Sequence, residues 1–434
     1  MKNSTDKPTL SVISQGCAAN FGEGEKIARL FDNEFNVTFG LPKEGLEPAA
    51  FILNVCTVKG NSTALKLLRE AKAIAPQATF FVTGCTPRDL QEEVRKLFED
   101  VRFTSLNELS KERTSQETLI LKPGTVLRES PLVGIVNIEE GCLDACAYCS
   151  TRLVKGRLRS FSAESTVEQV QRLVSDGCIE IQLTGQDCGC YGFDFAGNSR
   201  AEFPAQNLAE LVQQILVKVP GDYRIRLGMG NPRHIKSYLE PLMECFQDDR
   251  VYKFIHLPVQ SGSEHVLQLM NRKHTAKDYL ELANEFNKRF SLFTLSTDLI
   301  VGFPGESDQD FKDTLNILQE THPTVCNITR FVSRPGTVAS RLEPIVPDTV
   351  KHSRSAELAA AFQAIATENN ARWIGQTERV TVEKAGYRQG TIIARNDAYR
   401  PVALSEGLQP IKTGTRLQVK ITAAEPFALI GSIV

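Results

Sequence analysis

No run of about 18 apolar residues occurs anywhere in the 434-residue chain, so a membrane-spanning helix is not expected. The segment Met1–Gly16 lacks the apolar core of a secretory signal, and a cytoplasmic location is the expectation. A surplus of either charge is also missing: 50 Lys+Arg stand against 52 Asp+Glu, a formal net charge of −2. That balance offers no whole-chain footprint for nucleic acid, although a local basic patch would suffice. The six histidines are scattered, and there is a single tryptophan, Trp373. With 41% hydrophobic and 24% charged residues, disorder and low-complexity architectures drop out, and the length suits two to four domains. Cysteine, by contrast, is plentiful. Eleven are present, and in a compartment where disulfides are rare they need other employment as metal ligands, nucleophiles or small buried apolar residues.

Strand-like and helix-like stretches alternate over residues 8–122. Thr9–Ser14, Ala50–Val55 and Thr79–Thr83 are β-rich runs, and Gly24–Phe31, Ser62–Ile74 and Asp89–Phe98 follow them at helical spacing. The pattern predicts a parallel α/β sheet. Each strand runs into a cysteine-bearing loop, at Cys17, Cys56 and Cys85. Loops beyond the carboxyl ends of parallel strands form ligand crevices, so three cysteines distant in sequence are expected on one sheet edge. A connector from Ser110 to about Pro131 precedes a longer alternation over 132–370. Its strand candidates are Val133–Ile138, Ile179–Thr184, Tyr223–Leu227, Phe254–Leu257, Leu295–Val301 and Cys326–Phe331, which suggests a partial or complete β/α barrel. A long Ala-rich helix, Thr349–Asn370, closes this segment. Residues 373–434 then read as short strands between Gly-bearing turns, the pattern of a small β-barrel. Nine basic residues stand against five acidic ones over 372–434, a local charge of +4. The fold class is therefore α/β, with a small all-β appendix.

The second cysteine constellation is Cys142-Leu-Asp-Ala-Cys146-Ala-Tyr-Cys149, directly after the first strand of the long segment. Thiolates at C-x3-C-x2-C spacing can converge on an iron–sulfur cluster and leave one of four irons without a protein ligand. Structural zinc with a distant fourth ligand, or unrelated buried cysteines, remain open on spacing alone. Cys178, Cys188, Cys190, Cys245 and Cys326 are expected to be buried or incidental.

The C-x3-C-x2-C with Tyr148 before its last cysteine, following strand one of a β/α barrel, resembles the radical S-adenosylmethionine enzymes. Cys17, Cys56 and Cys85 then match the auxiliary-cluster ligands of one subfamily, the methylthiotransferases. Further matches are His256-Leu-Pro-Val-Gln-Ser-Gly-Ser263, Asp298-Leu-Ile-Val-Gly-Phe-Pro-Gly-Glu306 and Arg334-Pro-Gly-Thr337. The C-terminal segment is similar to that family's RNA-binding TRAM domain. Cys56-Thr-Val-Lys-Gly60, Gly141-Cys-Leu-Asp-Ala-Cys146 and Arg226-Leu-Gly-Met-Gly-Asn-Pro232 resemble the archaeal and eukaryotic branch that acts on N6-threonylcarbamoyladenosine. The hydrophobic C-terminal tail of some eukaryotic members is not seen before Val434, so membrane attachment is not expected.

The resemblance implies an enzyme with two 4Fe-4S clusters and S-adenosyl-L-methionine. One cluster would sit on Cys142, Cys146 and Cys149, the auxiliary one on Cys17, Cys56 and Cys85. The reaction implied is insertion of a methylthio group at C2 of the modified adenosine 37 in the tRNA anticodon loop. An electron donor such as flavodoxin or ferredoxin would supply the reducing equivalent. Tyr148, beside Cys149, and Thr184, Gly185, Gln186, Asn231 and Gln260, at the ends of barrel strands, fall where the family contacts the cofactor. Arg152, Lys155, Arg157 and Arg159 are phosphate-contact candidates near the cluster loop, and Arg379, Arg388, Arg395, Arg400 and Lys412 in the barrel. Removal of 373–434 is expected to weaken tRNA binding and leave both clusters. The alternatives are action on N6-isopentenyladenosine 37 or on a ribosomal-protein aspartate, and a non-catalytic iron–sulfur RNA-binding protein. Trp373 is expected to pack the barrel onto the preceding domain.

Overall fold

The computed structural model describes residues 7–43, 45–56, 61–113, 127–195, 205–386, 388–405 and 410–434. They divide into two compact units. The first comprises the chain up to Leu143 together with Cys149–Gln186; the second comprises Asp144–Tyr148, the loop that starts at Asp187, and Ala205–Val434. The expected end of the first segment at residue 122 lies outside the described residues.

The first unit opens with strand β1 (Thr9–Ser14), helix α1 (Ala18–Phe31), β2 (Asn36–Phe39), β3 (Ala50–Val55), α2 (Asn61–Ile74), β4 (Thr79–Gly84), α3 (Arg88–Leu97), β5 (Arg102–Phe103) and α4 (Leu106–Arg113). The strands form one parallel sheet in the order β2-β1-β3-β4-β5. All six residues of β3 are buried, as a central parallel strand covered on both faces requires. Two apolar layers sandwich it: Phe51, Leu53, Leu68, Phe80 and Val82 on one side, and Leu10, Val12, Ile27, Phe31 and Ile52 on the other. The three strands expected from sequence are present. β2 and α4 were not expected; β2 is four half-exposed or exposed residues with little apolar signal.

The same unit continues with β6 (Val133–Asn137), β7 (Glu139–Glu140), α5 (Thr151–Lys155), β8 (Arg159–Ser160), α6 (Ala163–Ser175) and β9 (Glu180–Thr184). β6 and β9 pair in parallel, with Asn137 opposite Thr184. Helix α6 starts at Ser162, whose hydroxyl accepts from the Ser165 N–H and satisfies one of the orphan donors of the first turn. The Asn137 side chain donates to the Ala19 carbonyl at 3.1 Å and ties the start of α1 to the end of β6.

The second unit contains α7 (Leu208–Lys218), β10 (Arg224–Leu227), α8 (Pro232–Ile235), α9 (Leu239–Cys245), β11 (Phe254–His256), α10 (Glu264–Leu269), α11 (Ala276–Arg289), β12 (Thr294–Val301), α12 (Asp308–Thr321), β13 (Val325–Arg330) and α13 (Asp348–Ala371). β11, β12 and β13 are parallel neighbours, in the strand–helix alternation expected for 132–370. Capping boxes at Thr275–Asp278 and Ser307–Asp310 fix the starts of α11 and α12.

After α13, strands β14 (Thr377–Ala385), β15 (Thr391–Asn396), β16 (Pro401–Ser405), β17 (Arg416–Glu425) and β18 (Ala428–Ile433) close into a five-stranded barrel, ordered β14-β15-β16-β18-β17. Closure removes the exposed strand edges that a small sheet would otherwise present. Val380, Val382, Ile392, Val402, Val419 and Ile421 fill it, and Trp373 belongs to that core with Leu292 packed against it. Trp373 therefore joins the barrel to the preceding segment, as expected. The fifth strand, β18, was not among those expected from sequence.

Candidate functional site

The register of the first sheet brings three loops together. Ser14 of β1 pairs with Asn54 of β3, and Val55 of β3 with Gly84 of β4, so the chain leaves adjacent strands at one level carrying Cys17, Cys56 and Cys85. The Cys85 N–H donates to the Val55 carbonyl at 2.9 Å, and Cys17 directly precedes α1, its carbonyl accepting from Asn20 and Phe21. Gly16 adopts φ +113°, and a Cβ there would lie 2.6 Å from the Cys56 sulfur, so only glycine permits the approach. Two buried asparagines lock the loops. Asn20 donates from its side-chain amide to the carbonyls of Gln15 (3.1 Å) and Val55 (2.8 Å), and Asn54 donates back to the Asn20 carbonyl at 2.6 Å.

Cys56 and Cys85 are buried and Cys17 is exposed. Burial pushes the Cys85 thiol up to about 12; Lys155 pulls it down, while Glu23, Cys56 and Cys17 push it further up. A buried, protonated thiol gives up its proton when a metal takes the sulfur, so the trio suits a bound cluster better than a free thiolate. Lys155 is one of the predicted phosphate contacts, and the structure corrects that reading. Its side chain is buried and pairs with Glu23 at 2.6 Å beside Cys85. Arg159 pairs with Glu140 at 2.9 Å and lies over the Phe161 ring, while Arg152 donates to the Leu143 carbonyl. Arg157 is exposed.

In the same unit, Cys142 forms a bridge with Arg157 and its N–H donates to the Gly156 carbonyl at 3.3 Å. The Gln186 side-chain oxygen accepts from the Gly141 N–H at 2.6 Å, which fixes the chain just before Cys142. Thr184 is buried at the end of β9, where its carbonyl accepts from Ile138. At Gly185 an added Cβ would collide with the Glu139 carboxylate, 2.2 Å away. The predicted Thr184, Gly185 and Gln186 thus lie at one strand end beside the first cysteine of the loop.

In the second unit, the segment Asp144–Tyr148 is held by a buried polar network. The Ala147 N–H donates to the Met270 carbonyl and the Ala147 carbonyl accepts from the Ala339 N–H, each at 2.8 Å. The Tyr148 ring meets Phe303 edge-on at 6.5 Å. Arg272, which sequence reading did not single out, donates to the Cys146 sulfur at 3.6 Å, to the Asn231 side-chain oxygen at 3.2 Å and to the Pro258 carbonyl at 2.8 Å. Asn231 caps α8 and donates to Asp144 at 2.6 Å, and Arg233 binds the other Asp144 oxygen at 2.6 Å. Burial pushes the Asp144 carboxyl up, but His234, Arg233 and Arg272 hold it below the usual carboxylate range. Gln260 is buried at φ +77° between Asp298 and Ile300 of β12, a left-handed conformation uncommon outside glycine and typical of positions held by their surroundings.

Asp187, Cys190 and His234 place one oxygen, one sulfur and one nitrogen within 4.8 Å of one another, all buried. The Asp187 Oδ1 already accepts from the N–H groups of Gly189 and Asn231, and the Cys190 thiol donates to the Asp187 carbonyl at 3.2 Å. His234 Nε2 stands 3.5 Å from Asp144 and 3.7 Å from Asp187. With Arg233 and Arg272 balancing the two carboxylates, the group forms the floor beneath Asn231. Of the remaining cysteines, Cys178, Cys188 and Cys245 are buried as expected and Cys326 is half-buried.

The barrel's predicted phosphate contacts separate into two classes. Arg400 is buried with Asn370 at 2.8 Å, Arg379 pairs with Asp397 at 2.6 Å, and Arg395 pairs with Glu383 and lies over the Tyr399 ring. Arg400 is buried, which corrects its reading as an RNA contact, while Arg379 and Arg395 are held by the barrel's own carboxylates. Arg388 and Lys412 are exposed. Among the described residues no helix is long and apolar enough to cross a membrane.

Three family models match the chain: one described as uncharacterized protein family UPF0004 over residues 9–105, the radical SAM superfamily over 136–318, and the TRAM domain over 371–434. A protein of Archaeoglobus fulgidus named probable threonylcarbamoyladenosine tRNA methylthiotransferase is 36% identical over 423 residues, covering 97% of this chain and 90% of its own. A protein of the same name from Pyrococcus horikoshii is 32% identical, covering 98% and 99%. The threonylcarbamoyladenosine tRNA methylthiotransferase of Drosophila melanogaster is 30% identical over 97% of this chain and 77% of its own. Among solved structures, the radical S-adenosylmethionine methyltransferase TsrM of Kitasatospora setae superposes with a TM-score of 0.50 at 10% identity, over 77% of each chain, a likeness of fold alone.

Proposed function

Because the chain belongs to the radical S-adenosylmethionine methylthiotransferase family whose members include the threonylcarbamoyladenosine tRNA enzymes, we propose that it places a methylthio group on C2 of N6-threonylcarbamoyladenosine 37 in tRNA. The protein is a radical SAM sulfur-group transferase, with S-adenosyl-L-methionine and two 4Fe-4S clusters as its cofactors. Three segments divide the work: 8–122 carries the auxiliary cluster, 132–370 the radical chemistry and 373–434 the hold on RNA.

The observation that carries the reading is the convergence of Cys17, Cys56 and Cys85 at one sheet edge, in a chain that also carries C-x3-C-x2-C. Cys142, Cys146 and Cys149 would hold the cluster whose chemistry is reductive cleavage of S-adenosylmethionine, and Cys17, Cys56 and Cys85 would hold the auxiliary cluster that carries the sulfur. The protein's own residues orient and shield. Arg272 places a cationic guanidinium on Cys146 and secures Asn231 through the same side chain. Tyr148, Thr184, Gly185, Gln186, Asn231 and Gln260 would contact the cofactor, as the family resemblance implies. Asn231 keeps one amide hydrogen beyond the one given to Asp144. Burial of Cys56 and Cys85 excludes water from the sulfur-bearing side. The electron comes from a low-potential protein such as flavodoxin or ferredoxin.

Mass spectrometry of tRNA nucleosides from cells with and without the gene tests the reading. Loss of the methylthio-threonylcarbamoyl nucleoside is expected; loss of the methylthio-isopentenyl nucleoside instead would replace the substrate.

A further inference from the structure

Within the first unit, residues of α1, α4 and the β6–β8 region line a small pocket that is partly open to solvent. Its position relative to the chemistry is set by three lining residues. Ala19 lies two places beyond Cys17, Lys155 stands beside Cys85, and Gln186 holds the chain just before Cys142.

The cavity wall carries three cations, Lys26, Lys155 and Arg159, and three carboxylates, Glu23, Glu139 and Glu140. Two cations are already matched: Lys155 with Glu23 at 2.6 Å and Arg159 with Glu140 at 2.9 Å. Lys26 differs. Its Nζ lies 5.4 Å from the centroid of the Phe161 ring, and among the described residues no carboxylate comes within ion-pair distance of it. Burial brings its ammonium down to about 8, with Glu23 and Glu140 supporting the charge from farther off. At neutral pH it is therefore mostly protonated, desolvated and turned toward a polar cavity. Such a group gains strongly from an incoming anion and loses from an apolar neighbour, because the alternative is a buried charge without a partner.

The reading of function supplies a matching anion. A threonylcarbamoyl group joins the amine nitrogen of threonine to N6 of adenine through a carbonyl, and so leaves the threonine carboxylate free. We infer that Lys26 binds this carboxylate and selects the anionic N6 substituent over an apolar one. The inference rests on the proposed substrate and makes Lys26 a specificity residue for it. An isopentenyl group at the mouth of the same pocket would cover the ammonium with hydrocarbon and leave it unpaired. Sites built around a polar partner reject analogues that lack it more sharply than apolar pockets reject an extra group.

The test compares two anticodon stem-loops, one bearing threonylcarbamoyladenosine and one bearing the neutral primary amide of the same group, with an isopentenyl stem-loop as the third probe. Holoenzyme with both clusters is titrated for binding and assayed for kcat/KM, as wild type, Lys26→Met and Lys26→Arg. The wild type is expected to prefer the acid over the amide by roughly 10²-fold, Lys26→Met to show a ratio near one, and Lys26→Arg to keep most of the preference. Because each ratio is internal to one variant, partial loss of folded protein or of cluster cancels. An unchanged acid-to-amide ratio in Lys26→Met, with the wild type active on the acid, overturns the role of Lys26 alone. A wild type that turns over the isopentenyl stem-loop and not the threonylcarbamoyl one overturns the substrate reading, and the inference with it.

Discussion

Glu25 lies buried on α1 and accepts from the Glu129 N–H at 3.1 Å. Burial lifts its carboxyl to about 7, against which the Glu129 N–H and Arg128 act only in part. The folded chain therefore keeps a proton that the unfolded chain, with an ordinary carboxyl near 4.5, has already released. Stability falls as pH climbs through that window, and the full cost, on the order of 3 kcal/mol, is present above pH 7. Glu25→Gln keeps the acceptor and removes the charge. Thermal melts are expected to show the variant more stable than wild type at pH 8, with the gain gone at pH 4.5. A gain of equal size at both pH values would exclude the linkage. Residues differ in how far their roles can be read from order alone. The two cysteine trios stand out because thiolate chemistry at those places has few other uses. Arg272 and Lys26 do not, since a cation looks the same in sequence whether it faces solvent, a sulfur or a cavity. Lys155 and Arg400 mislead for the same reason: their carboxylate and amide partners are distant in the chain.

At the level of elements, the ends of β1, β3 and β4 and the first turn of α1 act together, and Asn20 is the pin. Asn20→Ala removes the Gln15 carbonyl's side-chain donor and leaves the Val55 carbonyl with the Cys85 N–H alone, at a cost of roughly 1 to 3 kcal/mol. Iron analysis is expected to show loss of metal from the first trio while the C-x3-C-x2-C site keeps its own; retention of all the iron would mean that Asn20 does not hold the loops. The buried strands and long helices were legible because their apolar periodicity is strong: β1 and β3 fall at the expected residues, and α2, α3 and α13 within one residue at each end. α1 begins six residues earlier than its apolar pattern, because its first turn is occupied by residues that serve the cysteine loop. β2 and β18 were missed, one being a short half-exposed edge and the other a barrel strand needed only for closure.

For the whole molecule, the instructive segment is the turn of the barrel at residues 396–399. Asp397 pairs with Arg224 at 3.0 Å and accepts from the Lys253 N–H at 2.8 Å, Thr294 donates to the Ala398 carbonyl at 2.6 Å, and Arg226 lies against the rings of Phe254 and Tyr399. The barrel is thus built into the strands that precede it. Deleting 373–434 would expose those groups and unfold more than the barrel, which alters the expectation drawn from sequence. The sharper test keeps the barrel. Arg388→Glu with Lys412→Glu, both at exposed positions, is expected to weaken tRNA binding, to reduce the slope of log affinity against log salt by about 1 to 2, and to leave the iron content unchanged. An unchanged slope would place the RNA on another surface.

The parallel register of β1, β3 and β4 has a consequence for how such a chain can vary. What brings Cys17, Cys56 and Cys85 together is the level at which three neighbouring strands end, not the number of residues between them. Insertions in the connecting helices and loops leave the cysteine-bearing edge intact, since loop length is cheap to change. One extra residue inside β3 is different. It would turn every buried side chain beyond it to the opposite face and carry Cys56 past its neighbours. In this half of the protein, tolerance to insertion and deletion should therefore alternate along the chain, permissive between strands and forbidding within them.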